Sequence, residues 1–320
     1  MPINSDKPHL WKADTCASVD QFNKWFMRFA PRAYRDTRKK TIQSVEQGLY
    51  LTRDLTSIGT DVIKSHPGIL PTLRMSTCPP LARDRLIGLA HSTKSLVGSL
   101  EEGKLPPHLP EGVLEEHLKK IAAILSRMLD VDIFPWLAEK RKPTKEERYR
   151  SSTIVADRLC GAVADPIVRN AQEKRQLALI EKYLTRRGYK RRSLPSGTPL
   201  NQMEAGSFAF RLNVLVHSQG ADSKTVKIPI DTVVQPKQAA LPHLPLLIEA
   251  KSAGDFTNVN KRRKEEATKI NQLKATYGEG VVFVLFLCGY FDAAYLGYEA
   301  AEGIDWIWEH RIEDLDLLGI

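Results

Sequence analysis

Through about the first 165 residues, apolar side chains recur every three or four positions, the spacing of amphipathic helices. In the stretch 18–50, Phe22, Trp25, Phe26 and Phe29 fall on one helical face. Ser18 reads as the N-cap of that helix, with Asp20 in the first turn and Gln21 placed for a capping box. Pro31 is expected to interrupt it. An aromatic stripe of this kind is core packing more often than a binding surface. A second helical stretch follows Cys-Pro-Pro at 81–100. A third covers 111–139, with Leu114, Leu118, Ile121, Leu125 and Met128 at helical spacing. The Pro/Gly-rich LEEGKLPPHLPEG connects them, and the charged KRKPTKEERYR at 140–150 reads as an exposed link.

From residue 166 the pattern changes. A helix carries Leu177, Ile180 and Leu184 on one face, and FAFRLNVLV at 208–216 then reads as a strand. VKIPID at 226–231 and LPLLIEAK at 244–251 read as two more strands, each ending in charged residues. A charged helix at 259–277 is closed by Gly278. The unbroken apolar run VVFVLFLC at 281–288 is expected of a central strand covered on both faces. The order helix, three strands, helix, strand defines an α/β core with a mixed sheet behind a largely helical N-terminal region. The domain boundary is expected at the charged link, giving 1–150 and 151–320. No internal repeat is visible.

Composition narrows the function. At 320 residues the chain can bury one large core or two modest ones, and 42% hydrophobic with 27% charged residues is ordinary for a soluble globular protein. The longest apolar run is too short for a bilayer, which needs roughly 20 residues. The N-terminus lacks the apolar stretch of a secretion signal, so a cytoplasmic location is expected. Four scattered cysteines, with no CxxC pair, suggest neither a zinc cluster nor a disulfide framework. A net charge of +9 leans towards a polyanionic partner without requiring one.

Chemistry concentrates where the strands end. Adjacent strands would bring Asp231 and Glu249 side by side, eighteen residues apart in sequence. Two converging carboxylates need a cation between them, and hard oxygen ligands suit Mg²⁺. Lys251 lies two residues beyond Glu249 and so points to the same face, where it can orient a water or stabilise charge on a phosphate. The backbone carbonyl of Ala250 is a further candidate metal ligand. An Asp and a Glu-x-Lys at strand ends also occur by chance. The flanking order of elements is what favours a site.

Residues 229–231 (Pro-Ile-Asp) with 249–251 (Glu-Ala-Lys), in this frame, resemble the PD-(D/E)xK nuclease superfamily over about residues 166–290. The pattern departs from the superfamily's in having Ile230 between proline and aspartate. LRMSTCPPLARDRLIGLA at 73–90 and FTNVNKRRKEEATKINQLKATYG at 256–278 resemble the XamI-like group of type II restriction endonucleases, extending the likeness over most of the chain. The resemblance implies a restriction-endonuclease-like core and Mg²⁺-dependent hydrolysis of both strands of a specific duplex DNA site, leaving 5′-phosphate and 3′-hydroxyl ends. In it, Asp231 and Glu249 hold the metal and Lys251 lies near the attacking water. A palindromic site implies a homodimer, and a cognate DNA methyltransferase is implied as a separate chain. Two readings are open for Glu173, which shares the helical face of Leu177. It is a further metal ligand, as in some members of the superfamily, or a solvated acid favoured by the helix dipole.

Lys261, Arg262, Arg263 and Lys264 open a helix against its dipole, which favours contact with DNA. The plain alternative is an exposed face offset by Glu265 and Glu266. Arg83 and Arg85, after the Cys-Pro-Pro turn, either read DNA or cap their helix locally. GYFDAAYLG at 289–297 is too short to hold both halves of a GIY-YIG site, and no Walker lysine motif is present. His117 and Lys119 begin a phospholipase D-like motif that lacks its aspartate, and His243 reads as a loop histidine. A nuclease selective for branched or damaged DNA, and a DNA-binding module that cuts nothing, are the competing functions.

Overall fold

Two helices run far beyond what local apolar spacing suggests. The computed structural model describes residues 2–217, 225–238, 244–254 and 259–320, with backbone alone at 162–165 and 259–263. In it α1 extends over Pro8–Leu51 and passes through Pro31. Proline removes one backbone donor, but buried Phe22 before it and Val45 and Leu49 after it hold the helix together by packing. Ser18 is therefore mid-helix and not an N-cap. Its hydroxyl instead accepts the buried N–H of Gly289 at 2.8 Å.

The next elements are α2 (Thr60–Ser65), α3 (Leu70–Met75), α4 (Arg83–Leu89) and α5 (Lys94–Glu101). The single helix expected at 81–100 is thus two, because Thr93 caps α5 by accepting the Leu96 N–H at 3.2 Å. Likewise 111–139 divides into α6 (Glu111–Arg127) and α7 (Pro135–Glu139), Pro135 opening the latter. A second long helix, α8 (Lys145–Arg186), absorbs the second half of the expected link and the helix after it, and contains Pro166.

The chain forms two compact units, Ala30–Ile167 and a second made of Met1–Phe29 with Val168–Ile320. Both boundaries fall inside long helices. The helical unit has its own core, in which Leu114, Leu118, Ile121 and Leu125 join Leu73, Leu86, Phe134 and Trp136.

The other unit is built on a six-stranded sheet in sequence order: β1 (Lys190–Arg191), β2 (Ser207–His217), β3 (Thr225–Gln235), β4 (Leu246–Ala253), β5 (Val282–Gly289) and β6 (Asp305–Trp308). β2, β3 and β4 are antiparallel, while β4, β5 and β6 are parallel. The parallel step from β4 to β5 is made through α9 (Val259–Tyr277), and α10 (Ala293–Ala301) leads into β6. Ile180 and Leu184 of α8 cover one sheet face with Phe208, Ile248 and Phe286. Ile270 and Leu273 of α9, with Tyr295 and Leu296 of α10, cover the other with Leu247 and Leu285. β5 is buried on both sides, as its unbroken apolar sequence requires.

The first residues belong to this unit. Backbone N–H groups of Ile3, Asn4 and Ser5 converge on the Asp305 carboxylate at the start of β6, and Asn4 Nδ2 donates to the Trp306 carbonyl at 2.8 Å. At the end of β5, Gly289 has φ +102, and a Cβ there would overlap the carbonyl oxygen of Ala253 in β4. Gly289→Ala is expected to destabilise the protein by about 2–4 kcal/mol. Urea unfolding checks this, and an unchanged midpoint would refute it.

Candidate active site

The centre of the sheet is irregular at one level. β2 and β3 keep constant register, Phe210 opposite Thr232 and Leu212 opposite Ile230, but the intervening rung of Arg211 and Asp231 is not formed. Ala209 with its partner Val233, and Leu212 with its partner Ile230, all face the α9/α10 side. Regular alternation forbids that for residues three apart. Each strand therefore slips its facing by one at this rung, and Arg211 adopts φ +52 to do so. The slip releases Asp231 from ordinary ladder geometry. Its Oδ2 accepts the backbone N–H of Ala250 at 2.9 Å, which ties it to the next strand. Asp231 thus lies within β3, four residues before its end at Gln235, and not at the strand terminus its sequence suggested.

Glu249 is 7% exposed. Its Oε1 lies 3.3 Å from Lys251 Nζ and 2.8 Å from Lys269 Nζ, which reaches over from α9 and also donates to the Pro229 carbonyl at 3.0 Å. Its Oε2 is buried with no hydrogen-bond partner among the described residues. Lys251 Nζ is also 3.5 Å from Oε1 of Glu266, which is 1% exposed. Oε2 of Glu266 accepts the Tyr295 hydroxyl at 2.6 Å. Burial, and then the charge of Glu249, push the Asp231 carboxyl up to about 6. Burial alone would lower the Lys251 ammonium, but the carboxylates of Glu249, Glu266 and Asp231 outweigh it and hold its pKa above the ordinary lysine value. Burial, followed by the Glu266 charge, keeps the Tyr295 phenol protonated.

Asp231, Glu249, Ala250 and Lys251 therefore come together on β3 and β4. Glu173 of α8 pairs with Arg211 at 2.6 Å, and its charge contributes to the raised pKa of Asp231. Lys261, Arg262 and Arg263 lie in the first turns of α9 with side chains outside the described residues, and Lys264 is exposed. Glu266 does not offset them at the surface, because it is buried against Lys251. Arg83 and Arg85 are exposed in the first turn of α4, where Arg83 Nε lies 3.9 Å from Asp84. His243 lies outside the described residues. No group of three or more His, Cys, Asp or Glu side chains arranged for a metal ion occurs among the described residues. A cleft of about 830 Å³ within the helical unit, lined by Leu55, Trp136, Lys140 and Arg141 among others, holds no carboxylate.

Sequence reasoning missed Lys269 and Glu266. A signal was available for Glu266, which shares a helical stripe with buried Ile270 and Leu273, where an acid needs a partner. Lys269 left no such mark, since a lysine on a charged helix is usually solvated.

A helix, three strands, a helix and a further strand, with an acidic pair and a lysine on the central strands, is the core arrangement of the PD-(D/E)xK type II restriction endonucleases. The chain belongs to the XamI restriction endonuclease family, whose model matches residues 53–308. It is 56% identical over 317 residues to the type II restriction enzyme SalI of Streptomyces albus G, with 99% of each chain covered. No solved structure matches it.

Because the folded pKa of Asp231 is raised, its contribution to stability is full below the ordinary carboxylate pKa and is lost as pH rises through about 6. Asp231→Asn keeps an acceptor for the Ala250 N–H and removes that loss. In metal-free buffer the variant is expected to exceed the parent in stability by on the order of 2 kcal/mol at pH 8 and to match it near pH 4. Denaturation at the two pH values measures the gap, and a pH-independent difference would contradict this account.

Proposed function

We propose that this restriction endonuclease is Mg²⁺-dependent and hydrolyses both strands of a specific duplex sequence, leaving 5′-phosphate and 3′-hydroxyl ends. The observation that carries this reading is the convergence of Asp231, Glu249 and Lys251 across neighbouring strands in a member of this family. The donor set suits the ion. Glu249 Oε2 is buried and unpartnered among the described residues, the Asp231 carboxyl is pushed up by burial and then by the Glu249 charge, and Mg²⁺ is commonly held by one or two carboxylates with waters completing its shell. Asp231, Glu249 and the Ala250 carbonyl would hold it, with Glu173 a further candidate. When bound, the ion supplies positive charge at the phosphoryl oxygens and acidifies its water.

The remaining chemistry lies with the chain. Lys251, kept protonated by Glu249 and Glu266, donates to the attacking water or to a phosphoryl oxygen and steadies the developing negative charge. Lys269 bridges Glu249 Oε1 and the Pro229 carbonyl, while Oε2 has no hydrogen-bond partner among the described residues. The Ala250 N–H fixes Asp231 beside it. As the water oxygen bonds to phosphorus and gives up a proton to bulk water, the P–O3′ bond breaks and the departing oxygen takes a proton from bulk water, so the phosphate stays on the 5′ end.

Duplex DNA is the proposed partner, gripped by Lys261, Arg262, Arg263, Lys264, Arg83 and Arg85. A homodimer would give one active centre per strand of a palindrome. A methyltransferase on a separate chain would protect the host site. No described helix is long and apolar enough to cross a membrane, and a cytoplasmic location fits this role.

Purified protein with phage DNA and Mg²⁺ is expected to give discrete fragments, none in EDTA, with ends that a 5′-phosphate-requiring ligase rejoins. Asp231→Ala and Lys251→Ala should each lower the cleavage rate about a hundredfold or more. Fragments persisting in EDTA, or both variants cutting at the parent rate, would sink the proposed site.

A further inference from the structure

Arg211 occupies the rung opposite Asp231, where the ladder is broken, and its backbone is left-handed at φ +52. That region is unfavourable for a residue with a side chain, and such strain collects where function needs a group held in place. Glycine would relieve the strain, yet the chain carries arginine. The side chain is 59% exposed, and only Nη2 is engaged, by Glu173 Oε1 at 2.6 Å; its other N–H groups have no partner among the described residues. Glu173 is in turn close enough for its charge to reach Asp231. The order across this end of the sheet is therefore Arg211, Glu173, Asp231: an open guanidinium fork held by an acid beside the carboxylate pair. A guanidinium that served only to tether α8 to β2 would not need to leave most of its fork exposed. Its planar fork matches a phosphodiester, and exchanging one carboxylate for one phosphate keeps its charge paired.

We propose that Arg211 is a phosphate-binding residue of the cleavage site, held by Glu173 in the free protein and transferred to a DNA backbone phosphate when duplex binds. This rests on the endonuclease reading above. Glu173, released by the exchange, is then free to turn towards Asp231.

The test uses the full chain in EDTA with a fluorescein-labelled duplex spanning a mapped cleavage position, titrated over a range of salt. Arg211→Ala is expected to weaken binding about tenfold and to make the salt slope shallower by about one. Arg211→Gly should weaken binding equally while melting at or above the parent temperature, which separates lost contact from lost fold. Glu173→Gln should tighten binding several-fold in the parent and little in the Arg211→Ala background. Arginine variants binding within twofold of the parent at unchanged slope would overturn the proposal. So would Glu173→Gln tightening binding equally in both backgrounds, since simple charge removal would then suffice. If the parent cuts DNA and these variants bind normally, this assignment alone falls; if the parent neither binds nor cuts duplex, the endonuclease reading falls with it.

Discussion

Asp231, Glu249 and Glu266 are three acids drawn towards one region withdrawn from water, and the arrangement stands only because Lys251 and Lys269 enter the same space. Like charges at such range repel one another, and burial sharpens the repulsion. Two ammonium groups therefore crowd onto a single oxygen of Glu249, while its other oxygen has no hydrogen-bond partner among the described residues. The surrounding fold serves this balance. Sheet pairing aligns β3 with β4, α9 delivers Glu266 and Lys269 from one face, and α10 supplies the Tyr295 hydroxyl that satisfies Glu266.

The irregular rung between β2 and β3 gives the balance its direction. An uninterrupted ladder would have kept one facing along each strand. With the slip, the apolar residues on either side still reach the same core, and Asp231 is free to bond across to the Ala250 N–H. The left-handed backbone at Arg211 is the local cost of that arrangement, and the hydrophobic pairs Ala209–Val233 and Leu212–Ile230 on either side hold it in place.

How much of this was legible in the sequence depended on whether the signal was local. Helix faces such as Leu114–Leu118–Leu125, and the doubly buried β5, follow directly from apolar spacing, and both are found. The strands carrying Asp231 and Glu249 could be placed because apolar runs precede the charged residues. Contacts between residues distant in sequence leave no such local sign. Ser18 resembles a cap but bonds to Gly289, 271 positions away, and Pro31 resembles a helix break in a segment held by packing on both sides. The slip at Arg211 has no marker at all, since nothing in FAFRLNVLV announces a left-handed residue. Nor do the short strands β1 and β6, of two and four residues, stand out from their surroundings.

The clasp of Ile3, Asn4 and Ser5 on Asp305 joins positions about 300 residues apart. A loop of that size closes slowly, and its closure is rewarded only after the intervening chain has ordered. The edge of the sheet at β6 is thus among the last parts to settle in a newly made chain. During synthesis, Ile3, Asn4 and Ser5 must wait for Asp305 to leave the ribosome before this clasp can form.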